Sequence, residues 1–422
     1  MFRKATAVLL GLAVFATVGC SSKPATPAPA AEEKKAEAPV TITFWHTYNA
    51  DSNENKTLNE VVIPAFNKKY PNITVKSVIQ PNDGLHDALV TAAAGGTTPD
   101  VMRMDIIWTP EFAKLGALEA VDAMPGFGDI KKAAFPGPLA TNAYKGKYFG
   151  LPLDTNTQVM IYLNDSLKAA GMTEAPKSIE EFKKWYTANK GQKDKFAFAL
   201  SGTYPWAYLP WFWSLGGKVT NDDYTKATGF LNSDASVAAV QLMLDMQKDG
   251  AFAQTHLGGQ PGTWEGFKAG KYGAIQDGPW FFAIMGNELK GKMTAGTMPA
   301  GKAGSISVVG GENIVMFKNA KNKEAVWKFM QFMVSDEAQV AMAKTGQMPV
   351  TSTASASPVM KEAGYYDMYV KQLANAMPRT PVPAWSKIDD ILGKAIESVM
   401  REKATPKAAL DGAAKEIDAL LN

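Results

Sequence analysis

The stretch "VTITFW", residues 40–45, begins an alternation of strand-like and helix-like segments that decides the fold class. Its β-branched residues predict a strand, and "ITVKSVI" (73–79) and "PDVMRMD" (99–105) predict two more. Helix-like patterns separate the three, namely "LNEVVIPAFNKKY" (58–70) and "GLHDALVTAAAGG" (84–96). Strands that alternate with helices predict an α/β fold, with a largely parallel sheet covered by helices.

The loops after the first and third of these strands are the first candidate ligand-facing segments. Ligands bind such sheets at the carboxyl ends of the strands. "HTYN" (46–49) follows the first strand, and "DIIW" (105–108) follows the third. We therefore expect a ligand to meet side chains at both places, namely Trp45, His46, Thr47, Asn49, Asp105 and Trp108.

The chain is too long for one hydrophobic core, since 422 residues favour two domains. A second set of elements follows residue 155. "SIEEFKKWYTANK" (178–190) predicts a helix that begins with a capping box, in which Glu181 lies three residues after Ser178. "YGAIQD" (272–277) and "GSISVVGGENIVMF" (304–317) predict strands, and the pattern from about residue 323 is helical.

The first 39 residues are typical of a signal and a tether. A basic start at Arg3 and Lys4 precedes the apolar run "AVLLGLAVFATV", which is too short to cross a bilayer comfortably. "TVGC" then ends at Cys20, the chain's single cysteine, and resembles a bacterial lipobox. We expect residues 1–20 to be a lipoprotein signal with lipidation at Cys20, residues 21–39 to be a disordered tether, and no intrachain disulfide.

Neither nucleic-acid binding nor a metal centre is indicated. The net charge of +3 comes from lysines and arginines that are spread along the chain, so no basic stripe forms. The histidines His46, His86 and His256 lie far apart and outside any zinc motif, and His86 is expected to be solvated in a polar helix turn. No cofactor or catalytic residue is predicted, although a glycoside hydrolase, which needs two carboxylates across a cleft, stays open.

Tryptophans at predicted turns and strand ends instead favour a sugar ligand. The apolar C–H face of a pyranose lies on an aromatic ring, and its hydroxyls bind planar amides and carboxylates. The tryptophans in such positions are Trp45, Trp108, Trp206, Trp280 and Trp385. The polar residues that we expect to accompany them in a site are Thr47, Asn49, Asp105, Asp154, Asn156, Gln276 and Asp277.

The order of motifs resembles a known family. A lipobox and a polar tether are followed by "ITFWHTYN" (42–49), "AAAGGTTPDVMRMD" (92–105), "YKGKYFGLPLDTNTQVMIYLND" (144–165) and "FKAGKYGAIQDGPWFF" (267–282). This order is similar to that of the extracellular solute-binding proteins of ABC importers, in the carbohydrate group that resembles maltose-binding protein. The resemblance covers essentially all of residues 40–422.

The resemblance implies two α/β lobes that close on a ligand about a hinge. Lobe I would comprise residues 40–151 and 305–345, and lobe II would comprise residues 152–304 and 346–422. The chain would cross between the lobes near residues 150–156, 305–311 and 344–353. A permease would recognise the closed form, and no bond would be made or broken.

The resemblance also implies roles for single residues. Trp206 in "YPW" looks like a stacking ring, with Tyr204 in place of the family's acid, and Trp280 in "GPW" looks like a second ring. A sugar other than maltose, an oligosaccharide, is expected. The other expected ligand-binding residues are Asp105, Trp108, Asp154, Asn156, Asp277, Gly310, Gly311, Arg379 and Trp385.

Within the aromatic run from Tyr204 to Trp213, two groups of rings are expected. Tyr204 and Trp206 are placed in a loop before a helix. Phe212 and Trp213 are placed in the core, because Trp213 follows Trp206 at helical spacing. The sequence does not decide whether Tyr208 and Trp211 belong to the loop group or to the core group.

The partners implied are a carbohydrate, the transmembrane subunits of an ABC permease with its cytoplasmic ATPase, and the membrane through the lipid anchor. A monomer is expected at the extracellular face of the cell membrane, or in the periplasm if the source has an outer membrane. The alternative ligand is a phosphorylated or anionic solute such as glycerol-3-phosphate.

Overall fold

Residues 38–191 and 195–421 are described by a computed structural model. The expected signal segment, Cys20 and nearly all of the expected tether therefore lie outside the described residues. Across those two ranges, every helix is too short or too polar to cross a membrane.

The strands of the described residues form two larger sheets and one short hairpin. In chain order they are β1 (Val40–His46), β2 (Ile73–Ile79), β3 (Val101–Asp105), β4 (Ala143–Tyr144), β5 (Lys147–Tyr148), β6 (Leu151–Asn156), β7 (Val159–Leu163), β8 (Phe196–Ala199), β9 (Tyr272–Asp277), β10 (Met293–Gly296), β11 (Ser307–Met316) and β12 (Ala376–Pro378).

The first sheet has the strand order β12-β11-β3-β1-β2, and β6 also pairs with β11. The pairs β1–β2, β1–β3 and β11–β12 are parallel, whereas β11 runs antiparallel to β3 and β6. The predicted largely parallel sheet is therefore a mixed one. The difference arises because β11 returns from the second half of the chain and enters the sheet in the opposite direction.

The second sheet has the order β10-β7-β9-β8, in which only β8 and β9 are parallel.

The α-helices are α1 (Asn53–Thr57), α2 (Ile63–Lys69), α3 (Leu85–Gly95), α4 (Thr109–Lys114), α5 (Phe127–Ala133), α6 (Pro136–Ala140), α7 (Asn164–Ala169), α8 (Ile179–Asn189), α9 (Pro205–Ser214), α10 (Asp234–Lys248), α11 (Thr263–Lys268), α12 (Trp280–Met285), α13 (Lys323–Met333), α14 (Asp336–Ala343), α15 (Ser352–Ser355), α16 (Pro358–Glu362), α17 (Tyr366–Leu373), α18 (Trp385–Met400) and α19 (Pro406–Leu421).

Local sequence signals set several of these boundaries. The helix predicted at residues 58–70 begins earlier than expected, because α1 continues into α2 through a π turn, Leu58–Val62, just before Pro64, which has no N–H to donate. At α8 the Ser178 hydroxyl accepts from the Glu181 N–H at 3.2 Å, as the capping box predicts. The Glu181 carboxylate accepts from the Lys177 N–H at 2.7 Å, one residue earlier than in the usual box.

Each sheet carries its own buried core. Helices α13 and α2 cover the first sheet, where Phe44, Phe66 and Phe329 pack together. Helices α8 and α9 cover the second sheet, where Phe182, Phe198 and Trp211 pack together with ring centroids 4.9–5.9 Å apart.

Three segments that pass between the sheets lie side by side. The Thr155 N–H donates to the Met348 carbonyl at 3.1 Å, which joins β6 to the segment after α14. The Thr157 hydroxyl donates to the Val308 carbonyl at 2.7 Å, which joins the residue after β6 to β11. This three-stranded crossing sets the position of the candidate site.

Candidate functional site

Two tryptophan rings lie next to the crossing. Trp206 and Trp280 are partly exposed, with ring centroids 6.3 Å apart and planes 28° from parallel. Trp206 lies in the first turn of α9, so its placement in a loop before the helix is wrong. The helix begins earlier because Pro205 occupies its first position, where the fixed φ of proline favours a helical start.

The backbone of β11 lies directly against Trp206. A Cβ atom on Gly310 would come 2.5 Å from the Trp206 ring and would also meet the Asn156 side chain. Gly311 has a φ of +132° and lies against the backbone of Asp154, so it also needs to be glycine. The expected glycine pair therefore shapes the site through its backbone.

We expect Gly310→Ala to lower the free energy of unfolding by about 1–3 kcal/mol and to displace the Trp206 ring, because the added methyl group overpacks the contact. Urea unfolding and tryptophan fluorescence measure the two effects. Gly412→Ala, in helix α19 with no atom within 4 Å of the added Cβ, is the matched control and should raise stability by up to about 1 kcal/mol. Equal effects at the two positions would contradict the contact.

Two polar atoms near Trp206 have no hydrogen-bond partner in the protein. They are the Asn156 Oδ1 and the Arg379 Nε, and both are buried. The Arg379 guanidinium carbon lies 5.4 Å from the Trp206 ring centroid, and its Nη2 contacts the Asp105 carboxylate at 3.2 Å. An unpaired buried acceptor and donor beside an aromatic ring suit a ligand that supplies both missing hydrogen bonds.

A buried ion cluster lies behind the crossing. The Arg103 guanidinium contacts Glu312 at 2.7 Å and Asp154 at 3.5 Å, and donates to the Thr47 hydroxyl at 2.8 Å. The ring of Tyr48 lies 4.5 Å from its carbon. Burial raises the pKa of Glu312 well above its usual value, against the opposing effect of Arg103. Thr47 and Asp154, both expected to bind ligand, are thus engaged by Arg103 here.

Asp277 and Trp280 form one turn. The Asp277 carboxylate accepts from the Gly278 N–H at 2.7 Å and from the Trp264 indole. Burial raises the pKa of Asp277 to about 6, although these hydrogen bonds oppose the shift. Asp277 therefore holds the start of the turn that carries Trp280, and both of its oxygens have protein partners.

The remaining residues that were expected to bind ligand differ in their exposure to solvent. Tyr204 is exposed and donates to the Ser201 hydroxyl at 2.9 Å, and Asn49 is exposed in the loop after β1. Trp45 and Trp108 are half-buried and pack against the small core that contains Met104 and Phe112.

The sequence profile of the bacterial extracellular solute-binding proteins matches residues 49–340. The chain belongs to this family. A putative binding protein of Brucella abortus is 28% identical over 386 residues, covering 86% of this chain and 89% of the relative. The arabinooligosaccharide-binding protein of Bacillus subtilis is 26% identical, covering 97% of each. The sn-glycerol-3-phosphate-binding periplasmic protein of Pectobacterium atrosepticum is 25% identical, covering 92% of each.

Solved structures share the two-lobed fold of this solute-binding protein. The GacH receptor of Streptomyces glaucescens, solved unliganded and with acarbose, superposes with a TM-score of 0.82 at 24% identity, covering 91% of this chain and 99% of its own. Maltose-bound MalE3 of T. maritima superposes with a TM-score of 0.80 at 25% identity, covering 90% and 100%.

Three sequence-based placements in the solute-binding protein need correction. Trp385 is 1% exposed and lies in the core of the second sheet, because it starts the apolar face of α18. His46 is fully buried, because alternation along β1 places its side chain on the opposite face of the strand from Trp45. His86 is half-buried, because it faces Glu111, with its Nε2 2.9 Å from the carboxylate.

Sequence reasoning also missed two groups of contacts. Arg103 and Glu312 form the ion cluster, and their signal was a single charge inside each of two apolar strands. Glu54 accepts from Gln347 at 2.5 Å and joins α1 to the third crossing segment. Nothing in the linear sequence signals that contact.

His46 gives the solute-binding protein a pH-dependent stability. Its Nε2 lies 2.8 Å from the Ser77 hydroxyl, and its Nδ1 accepts from the Tyr48 N–H at 3.3 Å. Burial, followed by the charge of Arg103, lowers the pKa of His46 to about 4 from its usual 6.5. Between these values the unfolded chain binds the extra proton and the folded chain does not, so this contribution to stability is complete above pH 6.5 and falls as the pH drops toward 4.

We expect roughly 3 kcal/mol of stability to be lost from this group across that window. Urea unfolding of the native protein and of His46→Asn, measured at intervals from pH 4 to pH 7, isolates the effect as the difference between the two curves. A constant difference over that range would contradict it. Asp277 and Asp389 work in the opposite direction, because burial raises the pKa of each to about 6.

Proposed function

We propose that the chain captures a neutral carbohydrate, an oligosaccharide, and delivers it to the permease of an ABC importer. The observation that carries this proposal is the pair of rings Trp206 and Trp280 beside the unpaired Asn156 Oδ1 and Arg379 Nε. Rings bind the apolar faces of a sugar, and the two polar atoms suit its hydroxyls.

The lobes of the proposed binding protein are residues 40–151 with 305–345 and residues 152–304 with 346–422. The two sheets and their separate cores support this division. The three-stranded crossing would then be the hinge, and ligand binding would shift the population toward the closed form. The ligand-site residues proposed are Asn156, Tyr204, Trp206, Trp280, Gly310 and Arg379, with Asp105 supporting Arg379 and Asp277 supporting Trp280.

An anionic ligand is the second candidate, and the glycerol-3-phosphate-binding relative favours it. Such a ligand needs a cationic side chain that is not already paired with a carboxylate. Of the described arginines near the crossing, Arg103 already contacts two carboxylates and Arg379 contacts Asp105. A neutral ligand fits this balance of charge better.

We also propose that the chain is not an enzyme. A glycoside hydrolase needs two available carboxyl groups on either side of a bond. Asp154 is paired with Arg103, and both Asp277 oxygens accept hydrogen bonds within the protein. Neither group is poised for proton transfer to a ligand.

The remaining parts of the proposal rest on the sequence. The signal segment and Cys20 support a lipid anchor at the extracellular face of the membrane, and residues 21–39 would tether the binding protein to it. A monomer is proposed, because one chain carries both sides of the candidate site.

Fluorescence titration with neutral oligosaccharides and with glycerol-3-phosphate tests the proposal. A saturable change with a neutral sugar is expected. A response to glycerol-3-phosphate alone would favour the second candidate, and cleaved products after incubation would show a hydrolase. A thermal shift with the same compounds gives an independent readout, since a ligand of the native state raises its stability.

A further inference from the structure

Helix α18 of the second half of the chain contacts helices α3 and α4 of the first half through three side chains. The Ser386 hydroxyl donates to the Glu111 carboxylate at 2.9 Å and lies 3.2 Å from the His86 Nε2. His86 and Glu111 are themselves 2.9 Å apart. None of the three belongs to the proposed ligand site.

The surroundings make this contact stronger than an ordinary surface hydrogen bond. The His86 and Glu111 side chains are 24% and 20% exposed, so water screens them only in part. The rings of Trp108 and Phe112 lie 5.4 and 5.9 Å from the His86 ring. The hydrogen bond that the His86 ring donates to the Glu111 carboxylate raises the pKa of His86, so a positive charge is favoured beside the carboxylate.

The charged groups facing the trio are Asp87 and Lys387. Asp87 lies 3.4 Å from the His86 Nδ1 but is 95% exposed, and Lys387 is exposed at the start of α18. The trio adjoins a longer seam, because Ile107 packs against the core of the second sheet and Asp105 contacts Arg379 at 3.2 Å. The Ser386 contact is thus one of several contacts between the two halves that involve residues 105–111.

We propose that Ser386, His86 and Glu111 form a clasp that holds the lobes closed before any ligand binds. His86 and Glu111 stay together on lobe I whether the lobes are open or closed, and only the Ser386 hydroxyl moves away on opening. Opening the lobes therefore breaks the hydrogen bond from Ser386 to the charged Glu111, and the free energy of that hydrogen bond favours the closed state. The inference rests on the proposed hinge movement but on no property of the ligand.

The clasp has a consequence for affinity. The apparent dissociation constant of a ligand equals its intrinsic value divided by the populated fraction of the competent state. A larger closed fraction without ligand thus tightens binding without any new ligand contact.

The interlobe distance in the ligand-free protein tests the clasp. Spin labels at Glu60→Cys and Lys184→Cys, both exposed sites, report the distance by pulsed electron resonance in the full chain carrying Cys20→Ser. We expect the ratio of closed to open molecules to fall about tenfold in Ser386→Ala. Glu111→Gln keeps an acceptor but loses the charge, so a smaller fall is expected.

Ser398→Ala, on the same helix, is the matched control and should leave the distribution unchanged. The clasp is overturned if the labelled native protein is fully open without ligand, or if Ser386→Ala and Glu111→Gln both match the control. Thermal unfolding of each variant checks that it is folded. If no sugar alters the distances while Ser386→Ala still opens the protein, the clasp stands and the proposed ligand class fails.

Discussion

Replacing Arg103 with methionine is expected to lower the free energy of unfolding by about 3–5 kcal/mol, because the change leaves buried carboxylates without their cation. Arg103 is 7% exposed and contacts Glu312 and Asp154, at 2.7 and 3.5 Å. Methionine retains much of the side-chain volume, so the loss reflects charge more than a cavity. Urea unfolding at pH 7 measures it.

The loss at Arg103 should be reversed in part by a second change. The double variant Arg103→Met with Glu312→Gln removes one of the unpaired carboxylates, and we expect it to recover roughly half of the stability lost in Arg103→Met. The control is Arg401→Met, whose ion pair with Glu397 at 2.7 Å joins side chains 38% and 44% exposed and should contribute less than about 1 kcal/mol. Similar losses at Arg103 and Arg401 would show that the buried cluster is not the cause.

Replacing Trp206 with alanine is expected to weaken binding of the proposed oligosaccharide by about 100-fold. The estimate combines burial of one side of the ring with the specific stacking contribution, about 3 kcal/mol together. Fluorescence or calorimetric titration of the folded variant measures the dissociation constant. The change should lower global stability by less than the loss of a fully buried ring would, since Trp206 is partly exposed while most rings of α9 are buried.

The matched control for Trp206 lies on the same helix. Trp213 is 4% exposed in the core of the second sheet, so Trp213→Phe should lower stability by about 1–3 kcal/mol and leave affinity unchanged. If Trp213→Phe weakened binding and Trp206→Ala did not, the two rings would have the opposite roles. Loss of affinity in both variants would indicate that the helix position matters more than the Trp206 ring.

Periodicity was enough to predict the elements and much of the core. The Ser178 half of the capping box forms, the rings Phe212 and Trp213 are buried as expected, and Tyr208 and Trp211, which were assigned to neither group, are buried too. Two misplaced residues also had a signal. His46 follows Trp45 on β1, and Trp385 begins an apolar stripe that continues at Ile388 and Leu392, so alternation and helical spacing could have placed both.

Other features could not be predicted, because they depend on contacts between distant parts of the chain. Ser386 meets Glu111 across 275 residues, and Gln347 meets Glu54 across 293. The direction of β11 in the first sheet is likewise a property of the crossing. No local propensity records these pairings.

The close approach of Gly310 to Trp206 bears on how binding could be transmitted to the permease. The ring that would carry the sugar lies against the backbone of β11, which would pass between the proposed lobes. A ligand that moved the ring would therefore act directly on that strand, because the ring and the strand are in contact. The ligand-binding ring and the strand that would move would thus be coupled through a single contact, with no intermediate residues between them.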